Sequence, residues 1–445
     1  MLTKVLPFLV YLMSFPLMFA TAARVEIGLY FFLTFVPVIA VMKKITELPG
    51  GNNVVDGFLL AMIIGWFSNS SRESKPFFTK APENTVVMLV ILGSLINLIR
   101  GYTYMGMSDD INLVRLMAWK NYMILPVLYF VTVNNVDDFK QVRSMIICIV
   151  ISLIGMDFNF YSTFRWIRAE HYSHSIRISG PFSFLGPNEV GAFFAMYTFL
   201  LIGIFYYLEE KKLKYAVLFV IACNFYPILF SYSRAAYIST VAGFIALGIL
   251  KDRRVFFALF VVIIGYRILL PNSVVERIDM TFLNKGDVSA SVAQSSEVDI
   301  GGVSLDTVGR KELWDKAKEY FYEQPIIGIG FDTFRHREGM ITHSMYMKIL
   351  AEQGMLGMSI FILFMLVLIR QAYRLFKKST EKFCQGIGLG FLLCIVAHLA
   401  GSISGDESLY YNLMAIFWIF MGLVASLNQK YVTDDLLDVQ PAESP

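Results

Sequence analysis

Charge is what this sequence has least of. Only 16% of its 445 residues are Asp, Glu, Lys or Arg, against 56% hydrophobic, whereas a soluble domain usually carries about 25% charged residues. So little charge cannot cover a water-facing surface, which excludes an ordinary soluble globular protein. The net charge of +3 is small and the basic residues are dispersed, which sets nucleic-acid binding aside. Cysteine is also scarce. Cys148, Cys223, Cys384 and Cys394 lie in or beside apolar runs without metal-type spacing, so neither a disulfide framework nor a zinc site is indicated. No internal repeat divides the chain into the similar halves that build many secondary transporters.

Apolar runs fill the remainder. About thirteen stretches approach the roughly 20 residues needed to cross the hydrocarbon core, the first at 5–19 and the last at 410–427. The first follows Lys4 and precedes Ala20-Thr21-Ala22, as in a secretory signal, but is read as a membrane segment. Lys and Arg collect in cytoplasmic loops. Here Lys211, Lys212 and Lys214, then Lys251, Arg253 and Arg254, then Arg370, Arg374, Lys377, Lys378 and Lys382 alternate with less basic loops. That rule puts 165–189, 231–234, 271–342 and 405–409 outside, and the C-terminal tail in the cytoplasm. In the first half, strict alternation puts Lys43, Lys44 and the N-terminus outside. Twelve crossings, with one early stretch not spanning, are therefore expected. The expected fold is an all-α polytopic transmembrane bundle of about 12 helices. N-terminal transmembrane helices fill 1–270, an extracytoplasmic loop 271–343, C-terminal transmembrane helices 344–430 and a cytoplasmic tail 431–445.

The long loop has two parts. Residues 284–306, rich in Ser, Gly, Val and Asp, read as a linker. In 309–322, Arg310, Trp314, Ala317 and Phe321 share one helical face, so this helix should lie on the membrane or cap the bundle. Pro325 and Gly328-Ile329-Gly330 end it.

Three basic residues reach the outer face. Arg234 stands in Ser231-Tyr232-Ser233-Arg234-Ala235-Ala236-Tyr237, Arg310 opens the loop helix, and His343 stands in Thr342-His343-Ser344-Met345-Tyr346. Arg234 and His343 lie at helix N-termini, where unpaired N–H groups and the helix dipole favour an anion such as a lipid phosphate. The same environment keeps a histidine neutral and able to accept a proton. Taken singly, outer-face arginines usually anchor helices at the head groups. Arg310 resists that reading because it shares the face of Trp314 and Phe321.

These residues together resemble the O-antigen ligase and Wzy-type O-antigen polymerase superfamily, over about 177–357. His343-Ser344, nine intervening residues and Gly354-Met355-Leu356-Gly357 fit its pattern of His, then Asn, Ser or Gln, nine residues and Gly-x-x-Gly. Gly309-Arg310 with Leu313-Trp314, then Pro325 and Gly328-Ile329-Gly330, resembles its loop pattern. Ser233-Arg234-Ala235 resembles its other arginine motif, and the run from Arg177 to Asn188 a third segment. The first 160 residues add only hydrophobicity.

The resemblance implies a GT-C-like bacterial inner-membrane glycosyltransferase with its site facing the periplasm, acting without nucleotide, essential metal or other cofactor. The donor would be a glycan on undecaprenyl diphosphate. Arg234 and Arg310 would hold the diphosphate by bidentate contacts, and His343 would orient or deprotonate the acceptor hydroxyl, inverting the anomeric centre. Arg177, Asn188, Tyr232, Trp314 and Ser344 would contact substrate. The acceptor is either a second lipid-linked glycan, in a polymerase, or a lipid A core sugar, in a ligase. The preference is for the polymerase, because 165–188, with Arg165, Arg168, His171, His174 and Arg177, offers a second polar path. A chain-length regulator or export proteins are the expected protein partners. The rival from another class is a lipid-linked oligosaccharide flippase, which calls for charged or broken helices near the bilayer midplane.

Other signals are weaker. Asp109-Asp110 is a candidate metal pair lacking a third ligand, and a loop turn is the simpler reading. Asp406-Glu407 stands outside, able to assist His343 or bind acceptor sugar, or else forms a solvated turn. The Gly386-Ile387-Gly388-Leu389-Gly390 run enters an apolar helix with no preceding strand, so it serves close helix packing rather than nucleotide binding.

Overall fold

The computed structural model describes residues 2–106, 108–136, 138–163, 170–173, 176–177, 186–280, 307–406 and 408–432. The linker 284–306, Arg165, Arg168, His174, Glu407 and most of the C-terminal tail lie outside the described residues. Among those described there are α-helices and no β-ladder. Ten helices are long and apolar enough to cross a membrane, or up to 11 if one bent pair is a single span. All-α and polytopic, the fold is as the hydropathy requires.

The apolar runs become α1 (Leu2–Ala23), α2 (Glu26–Thr34), α3 (Ile39–Thr46), α4 (Val54–Arg72), α5 (Pro82–Met105), α6 (Asp109–Asn135), α7 (Phe139–Thr163), α8 (Pro187–Phe205), α9 (Lys211–Phe230), α10 (Arg234–Leu250) and α11 (Arg254–Ile264). The short α12 (Tyr266–Leu269) follows, and the long loop holds α13 (Asn272–Asp279), α14 (Thr307–Glu323) and α15 (Thr333–Glu338). It is followed by α16 (Met345–Lys378), α17 (Lys382–Gly401) and α18 (Tyr411–Tyr431). One end of the bundle carries the Lys and Arg loops named above; the other carries Arg234, Arg310 and His343.

Burial separates the centre from the rim. The apolar windows of α8 and α18 are 83% and 89% buried, that of α1 only 22%, so α8 and α18 form the core and α1 faces lipid. The glycine run of α17 packs it between two neighbours. A Cβ on Gly390 would meet the Leu200 carbonyl at 2.3 Å, and one on Gly388 the Phe376 nitrogen at 2.5 Å. Only hydrogen fits at either place, and backbones meet directly as small residues permit in membranes.

The early chain differs from expectation. The Tyr11 hydroxyl donates to Pro49 O at 2.6 Å, Met18 lies against Gly57, and Thr21 against Gly65. Positions rising along α1 thus meet positions rising along α4, so the two helices are parallel and the chain must return between them. That return is α2 with α3, bent by 106° at a break containing Pro37, which lacks a donor and restricts its predecessor. Tyr30 hydrogen-bonds Ser144, and Val38 lies beside Gly155, so this segment climbs along α7. The early stretch is a broken span rather than a non-spanning one. Strict alternation is kept, and Lys43 and Lys44 stand at the end that carries Arg310 and His343.

A cysteine at Lys44, an exposed position, should therefore react with a membrane-impermeant maleimide from the same side as one at Gly339, and from the opposite side to one at Lys378. Labelling of Lys44→Cys together with Lys378→Cys would mean that α2 and α3 do not return the chain.

Candidate functional site

The site is built around an interruption in α16. Gly354 has φ 64 and ψ −160 inside an otherwise continuous helix. A helix break strands backbone donors and acceptors, which is costly in or near lipid unless protein supplies partners. Residues 325–330 supply them. Met355 N donates to Pro325 O at 2.8 Å and Leu356 N to Ile326 O at 3.0 Å, while Ile329 N donates to Ala351 O at 3.0 Å and Gly330 N to Glu352 O at 2.8 Å. Both glycine motifs are explained by this interlock. A Cβ on Gly328 would lie 2.4 Å from the Glu352 carbonyl carbon, and one on Gly354 2.6 Å from that of Ile326.

The same loop is fastened to α5 and α6. Phe331 N donates to Asn97 O at 2.9 Å. The buried Arg115 guanidinium donates to Phe331 O at 2.9 Å and Leu98 O at 3.1 Å. Arg100 reaches Gln324 Oε1 at 2.7 Å. Glu352, also buried, accepts from Asp332 N at 3.0 Å and Phe334 N at 3.1 Å, so a carboxylate caps the first turn of α15, where the helix dipole favours it.

On this frame lies α14. Ala317 and Tyr320 are buried against Ile329, Phe334 and Ala351, with Arg310 and Trp314 half-buried. The helix caps the bundle, and the face with Arg310, Trp314 and Ala317 is the one turned inward. Trp314 Nε1 donates to Thr342 O at 3.0 Å, fixing the residue before His343. Arg310 Nη1 reaches Ser404 O at 3.5 Å.

His343 has φ 52, an uncommon conformation for a residue with a side chain. It is held by the Thr342 hydroxyl, which donates to Ser344 O at 2.8 Å, and by Met345 N, which donates to Ser402 O at 3.1 Å and Gly405 O at 2.9 Å. Burial, together with the nearby Arg310 charge, lowers the His343 pKa to about 4 against a counteracting pull from Asp406. The ring is therefore neutral at physiological pH. Tyr232 and Asp332, with φ 52 and 53, share this left-handed conformation; backbone strain of this kind gathers at functional sites.

Arg234 is the first residue of α10, whose N-terminus is capped by Ser233 Oγ accepting from Ala236 N at 3.4 Å. The opening turns of α10 pack on Gly401, whose added Cβ would meet Ser239 Oγ at 2.4 Å. The end of α17 and the turn that follows it thus connect the elements that carry the three expected catalytic residues. Gly401 packs on α10 at Ser239, Ser404 O accepts from Arg310, and Ser402 O and Gly405 O accept from Met345 N just after His343.

The expected substrate contacts divide. Arg177 Nη2 donates to Asn188 Oδ1 at 2.8 Å, and its guanidinium also reaches Ser231 O at 3.3 Å, so this pair braces the turn before Arg234. Trp314 and Ser344 flank His343 along the chain or through hydrogen bonds, and Ser344 is buried. Tyr232 is the correction: fully buried, it donates to Ser273 Oγ at 3.0 Å and packs on Tyr172 and Phe230. Its ring holds α13 to the Arg234 turn and is not open to substrate. Asp109 and Asp110 occupy the first turn of α6, where acidic side chains complement the dipole. His171 binds Glu276 at 2.8 Å. Among the described residues no cluster of three His, Cys, Asp or Glu is placed to hold a metal.

Sequence reasoning passed over Lys348 and Glu352. Both are buried one turn apart on α16, beside a cavity of about 80 Å³ that Tyr122, Met345, His398 and Trp418 also line. The available signal was two charges recurring four residues apart in the helix that His343 opens.

Residues 216–362 match the family model described as O-antigen ligase. That segment, less than half of the chain, runs from α9 into α16 and contains Arg234, Arg310, His343 and both glycine motifs, so the resemblance read from those motifs is supported by it. No curated protein matches the chain. With the multi-pass helical fold, the O-antigen ligase match indicates a membrane enzyme of ligase or polymerase type.

If the O-antigen ligase glycine motifs serve the interlock, Gly354→Ala should lower thermal stability in detergent far more than Gly339→Ala. Gly339 has φ 71 and open space around it, so its substitution carries only the left-handed backbone cost of about 1–2 kcal/mol. Equal shifts in melting temperature would remove this explanation of the motif.

Proposed function

We propose that the protein transfers a glycan from undecaprenyl diphosphate to an acceptor sugar hydroxyl, with Arg234, Arg310 and His343, all at one end of the bundle, as the residues that act on it. The observation that carries this reading is the closeness of a neutral, half-buried His343 to the Arg310 charge, because the proposed reaction needs a proton acceptor beside an anion-holding group. Diphosphate is a good leaving group, and guanidinium forks offset the charge that develops on it. Diphosphate binding would also counter the Arg310 charge and make His343 a stronger base when the donor is in place. Attack opposite the leaving group inverts the anomeric centre. Chemistry of this kind calls on no nucleotide and no metal.

The polymerase is the preferred form. The preference rests on the polar run 165–188, in which Arg165, Arg168, His171 and His174 offer a second path, Arg177 being engaged in bracing the Arg234 turn. The second reading, a ligase acting on lipid A core, is favoured by the description of the matching family. A flippase is less well supported: α16 is indeed broken, but the backbone groups freed at Gly354 are bonded to 325–330 rather than lining a path. By the positive-inside rule the site faces away from the cytoplasm, which the resemblance would make the periplasm of a bacterial inner membrane.

Purified protein should elongate undecaprenyl-diphosphate-linked glycan when no lipid A core is present, seen as a ladder on product sizing. Transfer only when lipid A core is added would make it a ligase, and no transfer with either acceptor would overturn the enzyme reading.

Arg234→Ala, Arg310→Ala and His343→Ala should each cost about 10²–10³-fold in rate, with membrane insertion intact, and Arg310→Lys should recover little. Because protonated His343 cannot act as the base, kcat/KM for the free enzyme should fall only as pH drops toward about 4. The residual activity of Arg310→Gln should lose its acid limb at higher pH, since the charge that lowers the histidine is gone. An unmoved limb, or near-normal turnover in His343→Ala, would argue against the base role.

A further inference from the structure

The buried pair Lys348–Asp406 is the strongest feature that the proposed reaction has not used. Lys348 Nζ lies 3.1 Å from Asp406 Oδ2, with side-chain exposures of 11% and 1%. The other carboxylate oxygen, Oδ1, is buried and has no hydrogen-bond partner among the described residues. Burying a carboxylate with one oxygen unsatisfied is expensive, so such an atom calls for an explanation. Its position supplies one. Asp406 follows directly on the turn that binds Arg310 at Ser404 O and that receives Met345 N through Ser402 O and Gly405 O. It is near enough to His343 for its charge to act on the imidazole ring. Lys348, for its part, lines the cavity behind Met345.

We propose that Asp406 Oδ1 accepts a hydrogen bond from a neighbouring, non-reacting hydroxyl of the acceptor sugar and so holds the reacting hydroxyl beside His343, and that Lys348 is the positioning residue that holds Asp406 in place by occupying Oδ2. This rests on the glycan-transfer reading above and assigns the acceptor side of that site. An ion pair fixing one oxygen restricts rotation of the carboxylate and points the other at one place, so the acceptor sugar is held by one hydroxyl while the proton of its reacting hydroxyl can pass to His343. In the step itself the acceptor oxygen bonds to the anomeric carbon. The bond from that carbon to the diphosphate oxygen breaks, its electron pair leaves with the diphosphate, and the hydroxyl proton goes to the His343 ring nitrogen. Lys348 touches none of the reacting atoms.

A purely structural pair behaves differently from a positioning pair when both charges are removed. Breaking a buried ion pair from one side strands a charge, whereas replacing both partners by apolar groups is often neutral for stability. The experiment compares full-length wild type, Lys348→Met, Lys348→Arg and the double variant Lys348→Met/Asp406→Leu, with undecaprenyl-diphosphate glycan as donor and lipid-linked glycan or lipid A core as acceptor. Melting temperature and the separate KM values for donor and acceptor are recorded. Lys348→Met should lower kcat/KM for acceptor at least tenfold with donor KM unchanged, and Lys348→Arg should keep most of the activity. The double variant should regain stability yet stay at least tenfold impaired on the acceptor side. Wild-type kinetics in Lys348→Met, an effect confined to donor KM, or activity restored together with stability in the double variant would overturn the assignment. If Lys348→Met does not fold, the double variant alone decides between the two. Absence of transfer by the wild-type protein would instead overturn the glycan-transfer reading, and this role with it.

Discussion

The break in α16 at Gly354 is the constraint on which the rest of the functional end depends. An uninterrupted helix would leave 325–330 without backbone partners, and the loop would have no fixed seat. With the interruption, Ala351 O, Glu352 O, Met355 N and Leu356 N bind that loop in both directions. Arg115 and Asn97 then tie the loop to α5 and α6, and α14 settles on the surface so formed. Arg310 is thereby placed over the turn after α17 without any membrane helix carrying it. A residue on a long extramembrane loop acquires the positional certainty of one on the bundle, as a site that orients a lipid-linked anion requires.

Electrostatics follows from that placement. His343 is half-buried, in a left-handed conformation, near a positive charge and a negative one. Burial and Arg310 together keep the ring neutral, which suits a proton acceptor waiting for an anionic donor. Glu352 and the Lys348–Asp406 pair extend the charged cluster inward, each carboxylate fixed by named partners. The cluster stands at one end of the bundle rather than at its middle.

Much of this was legible in the sequence, and for identifiable reasons. Hydropathy period and length made the helices unmistakable. The spacing of Arg310, Trp314 and Ala317 marked the inward face of α14, because burial on a helix follows its period. The histidine and arginine motifs pointed to a family that the match over 216–362 also supports. Other features were not legible. The parallel course of α1 and α4 depends on contacts between Tyr11 and Pro49 and between Met18 and Gly57, which no local pattern encodes. Gly354 resembles any packing glycine until its positive φ and the approach of Ile326 are seen. Tyr232, adjacent to a motif arginine, looks like a substrate contact until its hydroxyl is found on Ser273. Lys348 and Asp406 are 58 positions apart, and only the return of α17 brings them together.

The central claim is that Arg234 and Arg310 hold one diphosphate with His343 on its glycan side. It is tested most directly by a structure of the protein with undecaprenyl diphosphate bound in a lipid nanodisc. The account predicts both phosphates between the two guanidiniums, within hydrogen-bond reach of each, and His343 facing the oxygen to which the sugar is joined. Phosphate density elsewhere, with Arg310 still turned to Ser404 and empty-handed, would contradict it.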